Sequence, residues 1–358
     1  MEVIRKGKIQ TFEINRDIIP VNSIEASYMI DKKSGYIKID KFSTQTYREF
    51  MTALMELKKQ GLERLILDLR GNGGGVLDEA IEIADEFLDG DKLITYTEGK
   101  HSPKKEYRCR RLGQFENGSL AVLCDEESAS ASEVLMGALQ DWDRATIIGR
   151  RSFGKGLVQE QYDLSDNSAL RITIARYFTP LGRSIQRSYA NGQNEYYNEV
   201  INRSNKDEIK NEDSLKLSKS KKYITPKGKV LLDGGGIYPD YFIANDTLLM
   251  GDKIVQLFSK NIINKFVFQL IISNSNTSKN FQDFLSKYQI SESEWNNLMN
   301  LANESKIDIV SLNKNEKEFL ENIIKSRMAR VIWNKNEMYE ILNNKDSSYK
   351  KAYELILK

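Results

Sequence analysis

The spacing of apolar residues along the chain changes several times, and each change marks an element. Val3-Ile4-Arg5, a Lys6-Gly7-Lys8 turn and a period-two stretch from Thr11 to Asn15 predict a short hairpin within residues 1–22. Two strands are predicted at Ala26–Ile30 and Tyr36–Ile39, around a Lys33-Ser34-Gly35 turn. Phe50, Leu54 and Leu57 fall on one helical face, Thr46 and Glu49 have capping-box spacing, and Gly61 suits the helix end. Leu65-Ile66-Leu67-Asp68-Leu69 is an almost unbroken apolar strand, as in a sheet covered on both faces. Leu77, Ile81, Ala84 and Leu88 restore helical spacing, and Leu93 to Thr97 predicts another strand. Residues 99–117 are polar and basic, a surface excursion.

Residues 118–160 read as strand, turn, helix, strand, loop. Val122, Leu123 and Cys124 end an apolar run, and Asp125 to Ser128 suit a turn. A helix opens near Ser130 with Val134, Leu135, Ala138 and Leu139 at helical spacing. Ala145 to Ile148 is a strand stopped by Gly149, and Ser152-Phe153-Gly154-Lys155-Gly156 is a loop. Leu170, Ile172 and Ile174 alternate with Arg171 and Thr173, which predicts a strand with one wet face. Strands joined by helices indicate an α/β domain with much parallel sheet. Residues 188–222, rich in Asn, Ser, Lys and Glu, read as a solvated insertion. From residue 247 onward helical spacing takes over, in Ile254, Leu257 and Phe258, in Phe281, Phe284 and Leu285, and in Phe319, Ile323 and Ile324. Met338, Ile341 and Leu342 continue it, then Ala352, Leu355 and Ile356, with Trp295 and Trp333 as core anchors.

Composition narrows the function classes. A net charge of +2 with 29% charged residues does not call for nucleic acid or acidic membranes. No apolar run approaches the roughly 20 residues of a membrane span, and no signal-peptide pattern opens the chain. The single histidine, His101, stands in a polar stretch and reads as an exposed loop residue, and a multi-histidine metal site is excluded by count. Cys109 and Cys124 could pair, but two cysteines build neither a metal site nor a disulfide framework.

The candidate chemistry is a serine with a lysine. A serine hydroxyl needs a base to become a nucleophile, and a neutral lysine is a known alternative to histidine. Ser130 at a helix start also lies beside free N–H groups able to hold an oxyanion. Read alone, a serine opening a helix, as Ser130 does, is in most cases an ordinary helix cap. Likewise Arg70-Gly71-Asn72-Gly73-Gly74-Gly75, between strand and helix, reads either as an anion-binding loop or as a flexible turn. It lacks the Walker and dinucleotide spacings.

The strings SASASE, GALQD, FGKG and VQ, in this order, with DLRGNGGG before them, resemble the carboxy-terminal processing peptidases, the tail-specific serine proteases. Residues Ala175–Gln186, Thr225–Gly228 and Gly234–Asp240 match further blocks, so the resemblance covers about two thirds of the chain, on the scale of an ordinary domain. It implies Ser130 as nucleophile, Lys155 as general base and Gln159 as the residue positioning the lysine. It also implies Gly75, rather than Gly74, and Ala131 as oxyanion-hole N–H donors, with Asp141 structural. The implied fold is crotonase-like and Clp-protease-like, with residues 1–22 as the tail of a PDZ domain, 23–245 as the protease domain and 246–358 as a helical appendage. On this reading the chain begins inside the PDZ domain or lacks a full one. The implied activity is endopeptidase cleavage near protein C-termini, without metal or cofactor. Partners would be protein or peptide substrates held by their C-terminal region, and the family reading leaves a homo-oligomer open. Location would be the periplasm or cell envelope. The alternatives are a crotonase-like enzyme of acyl thioesters and a silent scaffold binding peptide tails by strand addition.

Overall fold

A computed structural model of the chain describes residues 1–358 except 6, 18, 20, 191, 193, 197, 200–202, 204–220, 245–250 and 274–279. Most of the predicted insertion at 188–222, and its expected solvation, therefore lies outside the described residues. The chain opens with β1 (Glu2–Arg5) and β2 (Lys8–Thr11), an exposed antiparallel hairpin with Arg5 opposite Lys8. Its second strand starts three residues earlier than the alternation predicts, because the tight turn at Gly7 (φ +75°) fixes the register.

The α/β body follows: β3 (Ile24–Met29), β4 (Ser34–Ile39), α1 (Thr46–Lys59), β5 (Arg64–Asp68), α2 (Leu77–Asp85), β6 (Leu93–Glu98), β7 (Lys105–Arg108), β8 (Ser119–Cys124), α3 (Ala131–Asp141) and β9 (Thr146–Gly149). Then come β10 (Leu157–Asp163), β11 (Ala169–Phe178), β12 (Lys222–Ile224), β13 (Val230–Leu232) and β14 (Tyr241–Phe242). The main sheet has the order β14-β9-β8-β5-β4-β3, parallel except for the β3–β4 pair. A second, antiparallel sheet has the order β10-β11-β6-β7.

Alternation along the buried strands divides the core in two. Leu65, Leu67 and Val122 face α1, α2 and α3, while Ile66, Ala121 and Leu123 face the opposite side. That opposite side is covered from the far end of the chain. Helices α4 (Asp252–Ser259), α5 (Ile262–Ser273), α6 (Phe281–Lys287), α7 (Glu292–Glu304) and α8 (Lys314–Ile332) build a separate core around Phe266, Leu298 and Met328, with Trp295 and Trp333 half-buried against it. After α9 (Lys335–Asn343), α10 (Ser347–Ile356) leaves that core and lays Tyr349, Ala352 and Ile356 on β5, β8 and β9. The helical region expected as one appendage over 246–358 thus serves two cores, and a covered parallel sheet needs the second helix layer.

Local expectations differ from the structure in a few places, each with a tertiary cause. Thr46 and Glu49 form no capping box: Glu49 Oε2 accepts the Ser23 N–H at 2.6 Å, and the Tyr47 N–H at the α1 terminus goes to Glu79 of α2 at 2.6 Å. Polar β7 lies inside the predicted excursion, paired to β6 as an edge strand. The first half of β11 projects with β10 beyond the core, so Leu170 and Ile172 are exposed on what was expected to be a strand with one wet face. Cys109 and Cys124 are both buried and free.

If α10 is a structural layer of the sheet, Ile356→Ala should destabilise the protein by about 2–4 kcal/mol, the usual scale for deleting a buried aliphatic side chain. Chemical denaturation reads this directly. A loss near zero would mean that α10 does not share the sheet's core.

Candidate active site

The site is assembled where β5, β8 and β9 end, at the carboxyl edge of the parallel sheet, from three loops. The glycine loop runs from Arg70 to Gly75, the serine turn from Asp125 to Ser130, and the lysine loop from Arg151 to Gly156. Each is tied to the others by a buried polar side chain.

Asn72 joins the first two. Its Nδ2 donates to the Ile39 carbonyl at 2.9 Å, and its Oδ1 accepts the Gly74 N–H at 2.9 Å. Its carbonyl accepts the Ala129 N–H at 2.9 Å and the Ser132 hydroxyl at 3.0 Å. Ser128 adds a second tie through Oγ to the Leu69 carbonyl, 2.8 Å, and its own carbonyl accepts the Phe153 N–H of the lysine loop at 2.9 Å.

Glu133 joins the serine turn to the lysine loop. It is fully buried one turn into α3. Its Oε2 accepts the N–H groups of Ser130, at 2.9 Å, and Lys155, at 2.8 Å. Its Oε1 accepts the Gly154 N–H at 2.7 Å and the Ser152 hydroxyl at 2.5 Å. All four partners donate, which suits an ionised carboxylate with no proton of its own to place. Burial pushes the Glu133 carboxyl up from its ordinary value, and these hydrogen bonds pull it back.

Ser130 has φ +57° and ψ −113°. That conformation lies outside the left-handed well that non-glycine residues tolerate, and it persists because its neighbours hold it. It resembles the strained turn that presents a nucleophile at the head of a helix. Two glycines make room for it. A Cβ on Gly74 would stand 2.5 Å from the Ala129 carbonyl and 2.7 Å from Ser130 Cβ, and one on Gly75 would stand 1.9 Å from the Phe42 carbonyl. The Gly74 N–H is committed to Asn72. Among the described residues, the N–H groups of Gly75 and Ala131 have no hydrogen-bond acceptor. One open donor therefore lies in the glycine loop and one at the start of α3.

The structure brings the backbones of Ser130 and Lys155 onto one carboxylate oxygen, and both side chains are half-buried. Their hydroxyl and amine are not hydrogen-bonded to each other. Gln159 is exposed on β10, at an irregularity of the β10–β11 pairing, with no side-chain bond to Lys155. Asp141 closes the far end of α3 in a buried ion pair with Arg183, 2.6 Å. His101 is exposed in a turn, and no cluster among the described residues could hold a metal. Asn72, Ser128, Ser152 and Glu133 are the functional neighbours that sequence reasoning missed. Glu133 alone carried a signal, the S-x-x-E capping-box spacing after Ser130.

The comparisons with known proteins point the same way. The sequence model of peptidase family S41 matches residues 33–191, and a family of unknown function matches 254–334. A carboxyl-terminal-processing protease of Picosynechococcus is 38% identical over 182 residues, 50% of this chain and 43% of the relative. A probable CtpA-like serine protease of Staphylococcus epidermidis is 36% identical over 186 residues, 52% of this chain and 38% of the relative. Among solved structures, a photosystem II D1 C-terminal processing protease is similar at 33% identity and a TM-score of 0.41, covering 49% of each chain. This chain thus spans less than half the length of the curated relatives it matches. Over residues 33–191, where all three loops of the site lie, the chain matches peptidase family S41.

Proposed function

We propose that the chain is a serine endopeptidase that cleaves protein substrates near their C-termini, with Ser130 as nucleophile and Lys155 as base. The observation that carries this reading is the shared Glu133 oxygen, which brings the Ser130 and Lys155 backbones together. In the mechanism, neutral Lys155 takes the Ser130 proton as Oγ attacks the scissile carbonyl carbon. The carbonyl oxygen becomes an oxyanion that accepts from the Gly75 and Ala131 N–H groups. The carbon–nitrogen bond breaks, and Lys155 returns its proton to the departing amine. Water, deprotonated by Lys155, then attacks the acyl-enzyme, the ester carbon–oxygen bond breaks, and Lys155 passes the proton to the Ser130 oxygen. Gln159 would swing with its hairpin to accept from the lysine amine once substrate fills the site. Specificity for C-terminal regions, the reading of the exposed hairpin as the last strands of a PDZ domain, and an envelope location all follow from the family reading.

Cleavage of a tail-tagged peptide and of casein, compared with Ser130→Ala, tests the proposal; equal turnover by both proteins would refute it. Lys155→Arg should be inactive although its charge is kept, because guanidinium does not give up its proton. His101→Ala should match the wild type, and a large loss there would revive a histidine base.

Glu133→Gln is nearly isosteric, yet its amide NH2 must face two donors. It should lower kcat by about a hundredfold, the scale of misplaced catalytic groups, with KM little changed. Rates are to be taken per folded molecule, judged by near-UV circular dichroism. Wild-type turnover in this variant would show that the four-donor site does not align Ser130 and Lys155.

A further inference from the structure

Arg70, the first residue of the glycine loop, lies between two carboxylates from opposite ends of the chain. Asp68 of β5 accepts its Nε at 3.0 and 3.1 Å and its Nη2 at 2.6 Å. Asp346 accepts its Nη1 at 2.6 Å. The Arg70 main chain is held as well: its N–H donates to Asp68 Oδ1 at 2.9 Å, and its carbonyl accepts Lys38 Nζ at 2.7 Å. Lys38, Arg70, Asp68 and Asp346 form a group of two cations and two anions, so removing Asp346 unbalances it. Burial alone would raise the Asp68 carboxyl, but Arg70 and Lys38 hold it well below the usual range.

Asp346 is also the N-cap of α10, where its Oδ1 accepts the Tyr349 N–H at 2.6 Å. Tyr349 stands edge-on to Tyr36, 5.7 Å between ring centres, and the Tyr36 hydroxyl donates to Asp68 at 2.7 Å. The preceding helix, α9, is fixed to the sheet edge by specific polar contacts. Asn336 Oδ1 accepts the Ser27 N–H at 2.8 Å, Asn343 Nδ2 donates to the Tyr28 hydroxyl at 2.8 Å, and Lys335 pairs with Glu25 at 2.6 Å. Helices α9 and α10 lie outside both matched segments, 33–191 and 254–334. They nonetheless reach the residue from which the glycine loop starts.

We propose that Asp346 is a positioning residue for the peptidase site: through Arg70 it holds the start of the glycine loop, whose Gly74 packs against Ser130, and with it the Gly75 N–H that follows. This rests on the peptidase reading above. The C-terminal helices are then part of the catalytic body.

Asp346→Asn separates the two roles of this side chain, because asparagine still caps a helix but gives Arg70 no charge. In the full chain it should lower kcat about ten- to a hundredfold with KM within about twofold, the scale of a displaced rather than a deleted oxyanion donor. Glu25→Gln, which removes a docking contact remote from the loop, should keep wild-type kinetics. Hydrogen exchange supplies an arm independent of activity: amides of residues 70–76 should exchange faster in Asp346→Asn, and those of 131–141 at the wild-type rate. Unchanged kcat and unchanged exchange would overturn the proposal. So would equal losses in Asp346→Asn and Glu25→Gln, which would make the contact a docking aid only. If wild type and Ser130→Ala are equally inert, the peptidase reading fails, and the exchange arm still decides whether Asp346 orders the loop.

Discussion

A buried carboxylate with four hydrogen-bond donors is the constraint on which the site depends. Glu133 gives up water entirely, and among the described residues no cation bonds to it. Its compensation is the N–H groups of Ser130, Gly154 and Lys155 with the hydroxyl of Ser152. Leaving such a group unpaired inside a protein costs several kcal/mol, so the two loops are held to whatever geometry satisfies it. Ser152 extends the hold, since its Oγ accepts the Ile237 N–H at 2.6 Å and so fastens the segment after β13 to the same point. Strain at Ser130 can persist because its N–H and its carbonyl are both committed, to Glu133 and to the first turn of α3.

Parallel strand ends make this arrangement possible. Each loop leaves the sheet at the same edge, so three stretches far apart in sequence meet within hydrogen-bond reach. The ties between them are polar and buried, while the apolar core lies behind, under α1 to α3. Helix α3 is buried along its length, and its two ends are anchored differently: Glu133 at the start, the Asp141–Arg183 pair at the finish. A buried pair of this kind adds little to net stability but is costly to break on one side, so it holds the helix in register. The lysine loop has an outer support in Arg203, whose guanidinium donates to the carbonyl of Ser152 at 2.7 Å and of Phe153 at 3.2 Å.

The sheet's other face explains why the C-terminal helices matter. Ile66, Ala121, Leu123 and Ile148 would be exposed without α10. Burial of that stripe draws the helix down, and docking places Asp346 beside Arg70. An apolar requirement at the back of the sheet is thereby linked to a polar contact at the edge where the three loops meet.

Much of this was legible in the chain itself. Period-two and period-3.6 spacing marked the strands and helices of the α/β body, and the unbroken run Leu65–Leu67 already implied a sheet covered twice. SASASE, FGKG and DLRGNGGG singled out Ser130, Lys155 and the glycine loop through their resemblance to the processing peptidases, whereas read alone the serine was a cap and the glycines a turn. Sequence could not show which side chains satisfy the backbone of those loops. Thr46 with Glu49 and Ser130 with Glu133 share the pattern S/T-x-x-E, yet Glu49 serves another strand and Glu133 gathers two loops. The projecting β10–β11 hairpin kept a half-buried alternation without a core to face. The partner of Arg70 lies 276 residues away in the chain. Periodicity reports the face a residue turns inward, whereas the identity of what it meets there is decided only when distant segments pack.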